Sequence, residues 1–328
     1  MLFIDNEGHT DPALNLALEE YALRYLPLDT PYLLFYINEP SIIIGKNQNT
    51  IEEINEDYVR ENQIHIVRRL SGGGAVYHDL GNLNFSFLTK DDGSSFHNFA
   101  KFTQPVIDAL QSLGVDAALS GRNDIQVGER KISGNAMFST RGRMFCHGTL
   151  LFDSQMDNVA AALKVKKIKI ESKSTKSVRS RVANIKSFLP DPTMTIEQFR
   201  DTLLKHLFQC DPADVPKYPL TEEDWRKVRQ IAEERYRSWD WNYGRSPKFN
   251  IQNAYKFPSG IIDVRLDVMN GIMENVKIFG DFFGVGDVSD LEDRLRGVRY
   301  EDQAVAEALQ DIDLTHYFGK LTLQQFIN

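Results

Sequence analysis

Three consecutive glycines at positions 72–74, preceded by two arginines and flanked by strand-like runs, constrain this chain more than any other feature. The segment reads Arg68-Arg69-Leu70-Ser71-Gly72-Gly73-Gly74-Ala75-Val76-Tyr77-His78-Asp79 and follows the apolar run Ile64-His65-Ile66-Val67. Removing every Cβ at a turn lets bare backbone approach an anion, with successive N–H groups converging on it. Arginine adds charge and a planar fork suited to phosphate or carboxylate. The layout reads as a site for an anionic, nucleotide-like ligand; the competing reading is an ordinary glycine turn. Neither G-x-x-x-x-G-K-[ST] nor a strand–G-x-G-x-x-G–helix unit is present, so neither P-loop nor Rossmann chemistry is indicated.

At 328 residues the chain is long for one core, which favours two domains. Its 42% hydrophobic and 26% charged residues are those of an ordinary globular protein. The start, Met1-Leu2-Phe3-Ile4-Asp5, lacks the basic and apolar regions of a signal peptide, and no apolar run is long enough to span a membrane. A cytoplasmic protein with no membrane attachment is the expectation. Cys146 and Cys210, the two cysteines, form neither a disulfide framework nor a metal motif. A net charge of −8 argues against a general nucleic-acid binder.

Asp11-Pro12 can cap and start a helix with Leu14, Leu18, Tyr21 and Tyr25 on one face, ended by Pro27. Strands are expected at 31–37 and 41–44, and a helix capped by Asn49 through Ile51, Ile54, Tyr58 and Val59. After the glycine segment come a strand at 83–88 and a helix at 96–113. A strand-rich stretch then covers 117–120, 125–127, 131–136 and 144–152, before a short helix at 156–163. Strands and helices intermix without a βαβ repeat, which favours an α+β fold with a mixed sheet. Residues 164–181 hold eight Lys or Arg, with Glu171 the only acid. That stretch is either a solvated loop or a basic flap over phosphates. The first domain is expected to end at the Trp239–Pro247 segment, giving a catalytic domain at 1–247 and an accessory domain at 248–328. The second opens with a hairpin around Asn270-Gly271, followed by a capping box Ser289-x-x-Glu292 and a helix at 301–309.

Read in order, several segments resemble the lipoate–protein ligase A family. They are the glycine segment through Asn82, Gly121-Arg122-Asn123-Asp124, Arg130-Lys131-Ile132-Ser133-Gly134, His147-Gly148-Thr149-Leu150-Leu151 and Ser177-Val178-Arg179-Ser180-Arg181-Val182. Asn15–Glu20 and Gly45–Asn49 near the start fit as well. The resemblance implies an α+β, mixed-sheet catalytic domain like that of biotin ligases and class II synthetases, with a small α+β C-terminal domain. It implies a monomer that converts lipoate and MgATP to lipoyl-AMP and pyrophosphate. The lipoyl group then passes to a lysine of an apo lipoyl domain, in a 2-oxoacid dehydrogenase E2 subunit or the glycine-cleavage H protein.

The same resemblance distributes roles. Lys131 is the lysine that bridges the acid's carboxylate and the phosphate; losing such a donor costs roughly 10²–10³-fold in rate, by analogy with oxyanion-hole donors. Arg69 and the backbone of Gly74, Ala75, Val76 and Tyr77 hold nucleotide and acyl phosphate. Asp124 orients Mg²⁺, because hard cations prefer carboxylate oxygen. Ser71, Gly73, His78 and His147 line the acid's cleft, and Leu16 and Tyr36 line an apolar tunnel, Tyr36 standing where an indole can occur. Lys176, Ser177, Val178 and Arg179 belong to a loop that closes over the adenylate and protects it from water.

Two other readings compete. Cys146 directly precedes His147, and octanoyltransferases on the same core use a cysteine thioester in place of ATP. A nucleotide- or RNA-binding module using 164–181 would need aromatic residues among the basic ones, and there are none there.

Overall fold

The computed structural model describes residues 1–163, 182–243 and 251–327. Its first region contains β1 (Leu2–Asp5), β2 (Tyr32–Ile37), β3 (Ser41–Ile44), β4 (His65–Arg68), β5 (Val76–His78) and β6 (Asn82–Lys90). It continues with β7 (Ala117–Ser120), β8 (Asp124–Val127), β9 (Arg130–Thr140), β10 (Arg143–Leu151) and β11 (Lys217–Tyr218). Eight of these strands form a sheet in the order β11-β1-β2-β6-β10-β9-β8-β7. The β1 pairings with β2 and β11 are parallel, and the other pairings are antiparallel. The strands β4-β3-β5 form a second, three-stranded sheet. This is the expected mixed-sheet α+β architecture.

Side-chain alternation gives the large sheet two buried faces. On β2, Leu33 and Phe35 join a core with Val106 and Leu110 of the helix Phe99–Ser112 and Phe199 of the helix Ile196–Phe208. Tyr32, Leu34 and Tyr36 face the other way, against the helix Pro12–Tyr25 and Trp225 and Val228 of the helix Glu222–Ile231. The Pro12–Tyr25 helix begins as expected, with the Asp11 carboxylate accepting from Ala13 N–H and Pro12 in its first turn. It is buried nearly all round, so Asn15, Glu19 and Glu20 need partners within the protein.

The expected helix after Asn49 is broken into Thr50–Glu53 and Glu56–Glu61. Asn55, between them, donates through its backbone N–H to Ala162 and through its side chain to Ala161. That tertiary anchor replaces a helical turn, and the Asn49 amide bonds Glu52 instead of capping.

The C-terminal region is a separate α+β unit. An antiparallel sheet of β12 (Ile251–Phe257), β13 (Gly260–Met269) and β14 (Ile272–Gly280) packs its own core with Leu291, Leu309 and Phe318. The hairpin turns at Asn270 and Gly271, both with positive φ (52° and 78°), as Asn-Gly requires. The capping box is absent. Val288 precedes the helix Ser289–Leu295, and the buried Glu292 accepts from Ile278 N–H and Lys277 of β14 instead. The expected boundary at 247/248 falls in residues 244–250, outside the described residues. Among the described residues no helix is long and apolar enough to cross a membrane.

Arg68, at the end of β4, ties the first region's 45–50 loop to its Trp239–Asn242 segment. Its guanidinium donates to the carbonyls of Gly45, Lys46, Gln48, Trp241 and Asn242, and to Thr50 Oγ1, at 2.6–3.2 Å. The Trp239–Asn242 segment is thus part of the first region's core rather than a bare linker. Arg68→Met removes every one of these donors and leaves buried carbonyls unpaired. We expect a loss of about 3 kcal/mol, read as a lower urea midpoint.

Candidate active site

One cavity, of about 130 Å³, is lined by both sheets of the first region and by the glycine turn. The turn is held from beneath by Arg69. Its Nε donates to Ser71 Oγ (3.0 Å), its Nη1 to Ile43 O (3.0 Å), and its Nη2 to Gly72 O (2.7 Å) and Gly74 O (2.9 Å). These bonds engage every nitrogen of the fork, so Arg69 shapes the loop while its charge lies under the cavity. Burial pulls its pKa down to about 10, which leaves it a cation at neutral pH. Gly73 takes a positive φ of 93°, and a Cβ there would stand 2.8 Å from the Phe283 ring. Phe283 comes from the C-terminal unit, lines the cavity and lies under the Arg122 guanidinium, 4.3 Å from its ring centroid.

Strand alternation separates two pairs of sequence neighbours at the cavity. On β10, His147 lines it, while Cys146 is fully buried in the opposite core. Burial raises the Cys146 thiol's pKa well above its ordinary value, so little thiolate forms at neutral pH. A thioester mechanism at Cys146 therefore has neither an accessible sulfur nor an ionised one. On β5, Val76 and His78 line the cavity and Tyr77 packs into a separate apolar cluster, leaving only its backbone to face a ligand.

His147 is fixed at both nitrogens. Glu19 Oε1 lies 2.9 Å from Nδ1, and Ser71 Oγ lies 2.7 Å from Nε2. The Glu19 carboxylate can only accept, so Nδ1 donates to it, and the Ser71 hydroxyl, which accepts from Arg69 Nε, shares a second hydrogen bond with Nε2. His78 is held at one nitrogen only: Asn38 Nδ2 lies 3.0 Å from Nδ1, and the buried Nε2 has no partner among the described residues. Burial, with Arg69 and His147 nearby, lowers the His78 pKa to about 3.

The charged part of the site is more open. Lys131 Nζ forms a 2.8 Å ion pair with Asp124 Oδ1, with side chains 33% and 25% exposed, whereas His78 is 3% exposed and Leu16 2%. Lys131 lines the cavity; Asp124 stands behind it as its counter-ion. Among the described residues no group of three or more His, Cys, Asp or Glu could hold a metal. A single accessible carboxylate suits a Mg²⁺ that arrives with waters and substrate phosphates, and does not suit a resident ion. Val182 bridges to Lys131, and Ala183 N–H donates to Lys131 O, so the described chain resumes directly beside the lysine's backbone. Lys176, Ser177, Val178 and Arg179 themselves lie outside the described residues.

Of the residues singled out from sequence, the cavity brings together Leu16, Tyr36, Arg69, Gly73, Gly74, Ala75, Val76, His78, Lys131 and His147. Ser71 and Asp124 contact that lining without forming it. Sequence reasoning missed Glu19, Asn38, Asn135 and Phe283. The first two are polar residues in an apolar helix and an Asn-Glu-Pro turn. A carboxylate within so apolar a helical segment is the one sequence signal that could have marked Glu19.

Mixed sheet, glycine turn, paired lysine and small C-terminal domain are the arrangement expected of a lipoate–protein ligase. Residues 11–208 match the model of the lipoyl protein ligase A/B catalytic domain, and residues 246–328 match that of the bacterial lipoate protein ligase C-terminus. The chain is 63% identical to lipoate-protein ligase LplJ of Bacillus subtilis, covering 100% of this chain and 99% of that one. It is 56% identical to lipoate–protein ligase 1 of Staphylococcus aureus, over 100% and 99% of the two chains. A P. falciparum LipL1 structure in complex with lipoate superposes with a TM-score of 0.74 at 26% identity, over 95% of this chain and 94% of that one. A lipoate-protein ligase A bound with ATP gives a TM-score of 0.61 at 31% identity, over 71% and 94%. This chain belongs to the lipoate–protein ligase family, and it is an ATP-dependent enzyme that joins lipoate to lipoyl-domain proteins.

Because Cys146 is buried away from the cavity, Cys146→Ala is expected to leave ATP-dependent lipoylation within about twofold of the parent, as for a buried thiol without chemical duty. Intact-mass analysis of an acceptor domain measures this, and a loss of 100-fold would restore the thioester reading.

Proposed function

We propose that the two half-reactions share the cavity, with the acid's tail in its buried part and its carboxylate at Lys131. The observation that carries this is the Lys131–Asp124 pair on the more exposed side of the cavity, whose other cationic lining residue, Arg69, is buried with its donors engaged by the protein. A carboxylate that attacks an α-phosphate brings two anions together. The site must therefore neutralise charge, and a lysine able to contact both oxygens does so. Mg²⁺ bound to the ATP phosphates would compete for Asp124 and free Lys131 from its ion pair. The metal supplies further charge neutralisation, and Asp124 is the residue that would orient it.

Backbone of Gly74, Ala75, Val76 and Tyr77 faces the nucleotide and acyl phosphate in this reading, with Arg69 holding the turn and contributing its buried charge. The stretch 164–181, joined to the site at Val182, closes over the adenylate through Lys176 to Arg179. Excluding water there protects a mixed anhydride from hydrolysis. A lysine of an E2 subunit or H protein then takes the acyl group as an amide, releasing AMP. The catalytic domain spans 1–247 and the accessory domain 248–328, and the enzyme works as a cytoplasmic monomer.

Purified protein with an apo-acceptor domain, lipoate and MgATP should add one lipoyl group by intact mass, and none without ATP. Lys131→Ala should lower lipoate-dependent ATP–pyrophosphate exchange by roughly 10²-fold or more while the fold survives. Unchanged exchange in that variant would remove Lys131 from the activation step.

A further inference from the structure

The tautomer of His78 is set by a chain of buried amides. Asn6 Nδ2 donates to His9 O (2.8 Å) and to Asn15 Oδ1 (2.9 Å). Asn15 Nδ2 donates to His9 O (2.9 Å) and to Asn38 Oδ1 (2.9 Å). A backbone carbonyl can only accept, so His9 O fixes which end of both amides is nitrogen. Asn38 must then turn its own NH₂ toward His78, and His78 Nδ1 must accept it. The ring proton is left on Nε2, an N–H that is buried and lacks a protein partner among the described residues. The depressed pKa keeps the ring in this neutral form at any working pH.

His78 lines the same cavity as Leu16 and Tyr36 and, at 3% exposed, is far more deeply buried than Lys131. With the acid's tail in the buried lining, as proposed above, the group that meets this N–H is part of that tail. A saturated hydrocarbon tail leaves the N–H unpaired, whereas a dithiolane sulfur is a weak acceptor. A site with a buried donor discriminates against the analogue that cannot satisfy it. We propose that His78 Nε2–H is a specificity determinant for a sulfur-bearing tail, and that Asn6, Asn15 and Asn38 are positioning residues that hold its tautomer. The proposal rests on the ligase reading above and extends it to the choice between lipoate and octanoate.

The test compares lipoate with its cyclopentane isostere, in which methylenes replace both sulfurs, and with octanoate, in ATP–pyrophosphate exchange. The unmodified enzyme should favour lipoate over the isostere about 3- to 10-fold in kcat/KM, a range set by the weakness of an N–H···S contact. In His78→Leu that preference should fall to within about twofold, and His78→Gln, which keeps a donor, should recover part of it. Asn38→Asp still accepts from Asn15 but no longer donates to His78. It should move the ring proton to Nδ1 in ¹⁵N NMR and lose the same preference. An unprotonated Nε2 in the unmodified enzyme would overturn the proposal. So would an unmodified enzyme that treats lipoate and the isostere alike, whether or not the variants fold. Failure to activate any of the three acids would instead count against the ligase reading.

Discussion

Two adjacent buried arginines hold the irregular backbone on which everything else in the first region depends. Regular strands satisfy their own N–H and C=O groups, but a glycine turn and the 45–48 loop do not, and buried unpaired carbonyls are costly. Arg68 collects the carbonyls of Gly45, Lys46, Gln48, Trp241 and Asn242, and Arg69 those of Ile43, Gly72 and Gly74. Both pKa values fall to about 10 on burial, so each remains charged while its donors are occupied by neutral acceptors. The arrangement turns a strand end into a rigid loop scaffold. It also places Ser71, and through it His147, in one fixed geometry.

Period-two alternation then separates chemistry from packing with a resolution of one residue. Cys146 and His147 are neighbours in sequence, yet one sits among core side chains and the other forms the cavity wall. Tyr77 and His78 divide in the same way. A sequence motif that spans a strand therefore mixes functional and structural residues in alternation. That is why Cys146 could look catalytic beside a histidine that lines the site.

Features governed by local chemistry were legible in the sequence. The Asp11-Pro12 helix start, the Asn270-Gly271 hairpin and the arginine–glycine turn each follow from a few neighbouring residues. What escaped depends on partners far along the chain. Glu19 is explained by His147, Asn15 by Asn6, Asn38 and the carbonyls of His9 and Ile37, Asn38 by Asn15 and His78, and the broken helix at Asn55 by Ala161 and Ala162. Glu292 looked like a capping-box residue because the spacing was right, but β14 offered its carboxylate two better donors. Phe283 could not be placed at the glycine turn without knowing how the C-terminal unit sits on it.

The cavity itself shows how a binding site can be polar without exposing bare charge to an apolar ligand. Glu19 is buried behind His147, so its carboxylate meets the imidazole Nδ1 and not the cavity. Burial, with the Glu19 charge nearby, raises the Tyr36 pKa well above the ordinary value and keeps that phenol neutral. His78 is likewise neutral, and Arg69 lies beneath the turn with every nitrogen bonded. The more exposed charges of the site are those of the Lys131–Asp124 pair, with side chains 33% and 25% exposed. An acid with a long apolar tail needs this gradient. Its carboxylate must meet a cation to react, and its tail must enter a pocket whose polar groups have already been neutralised.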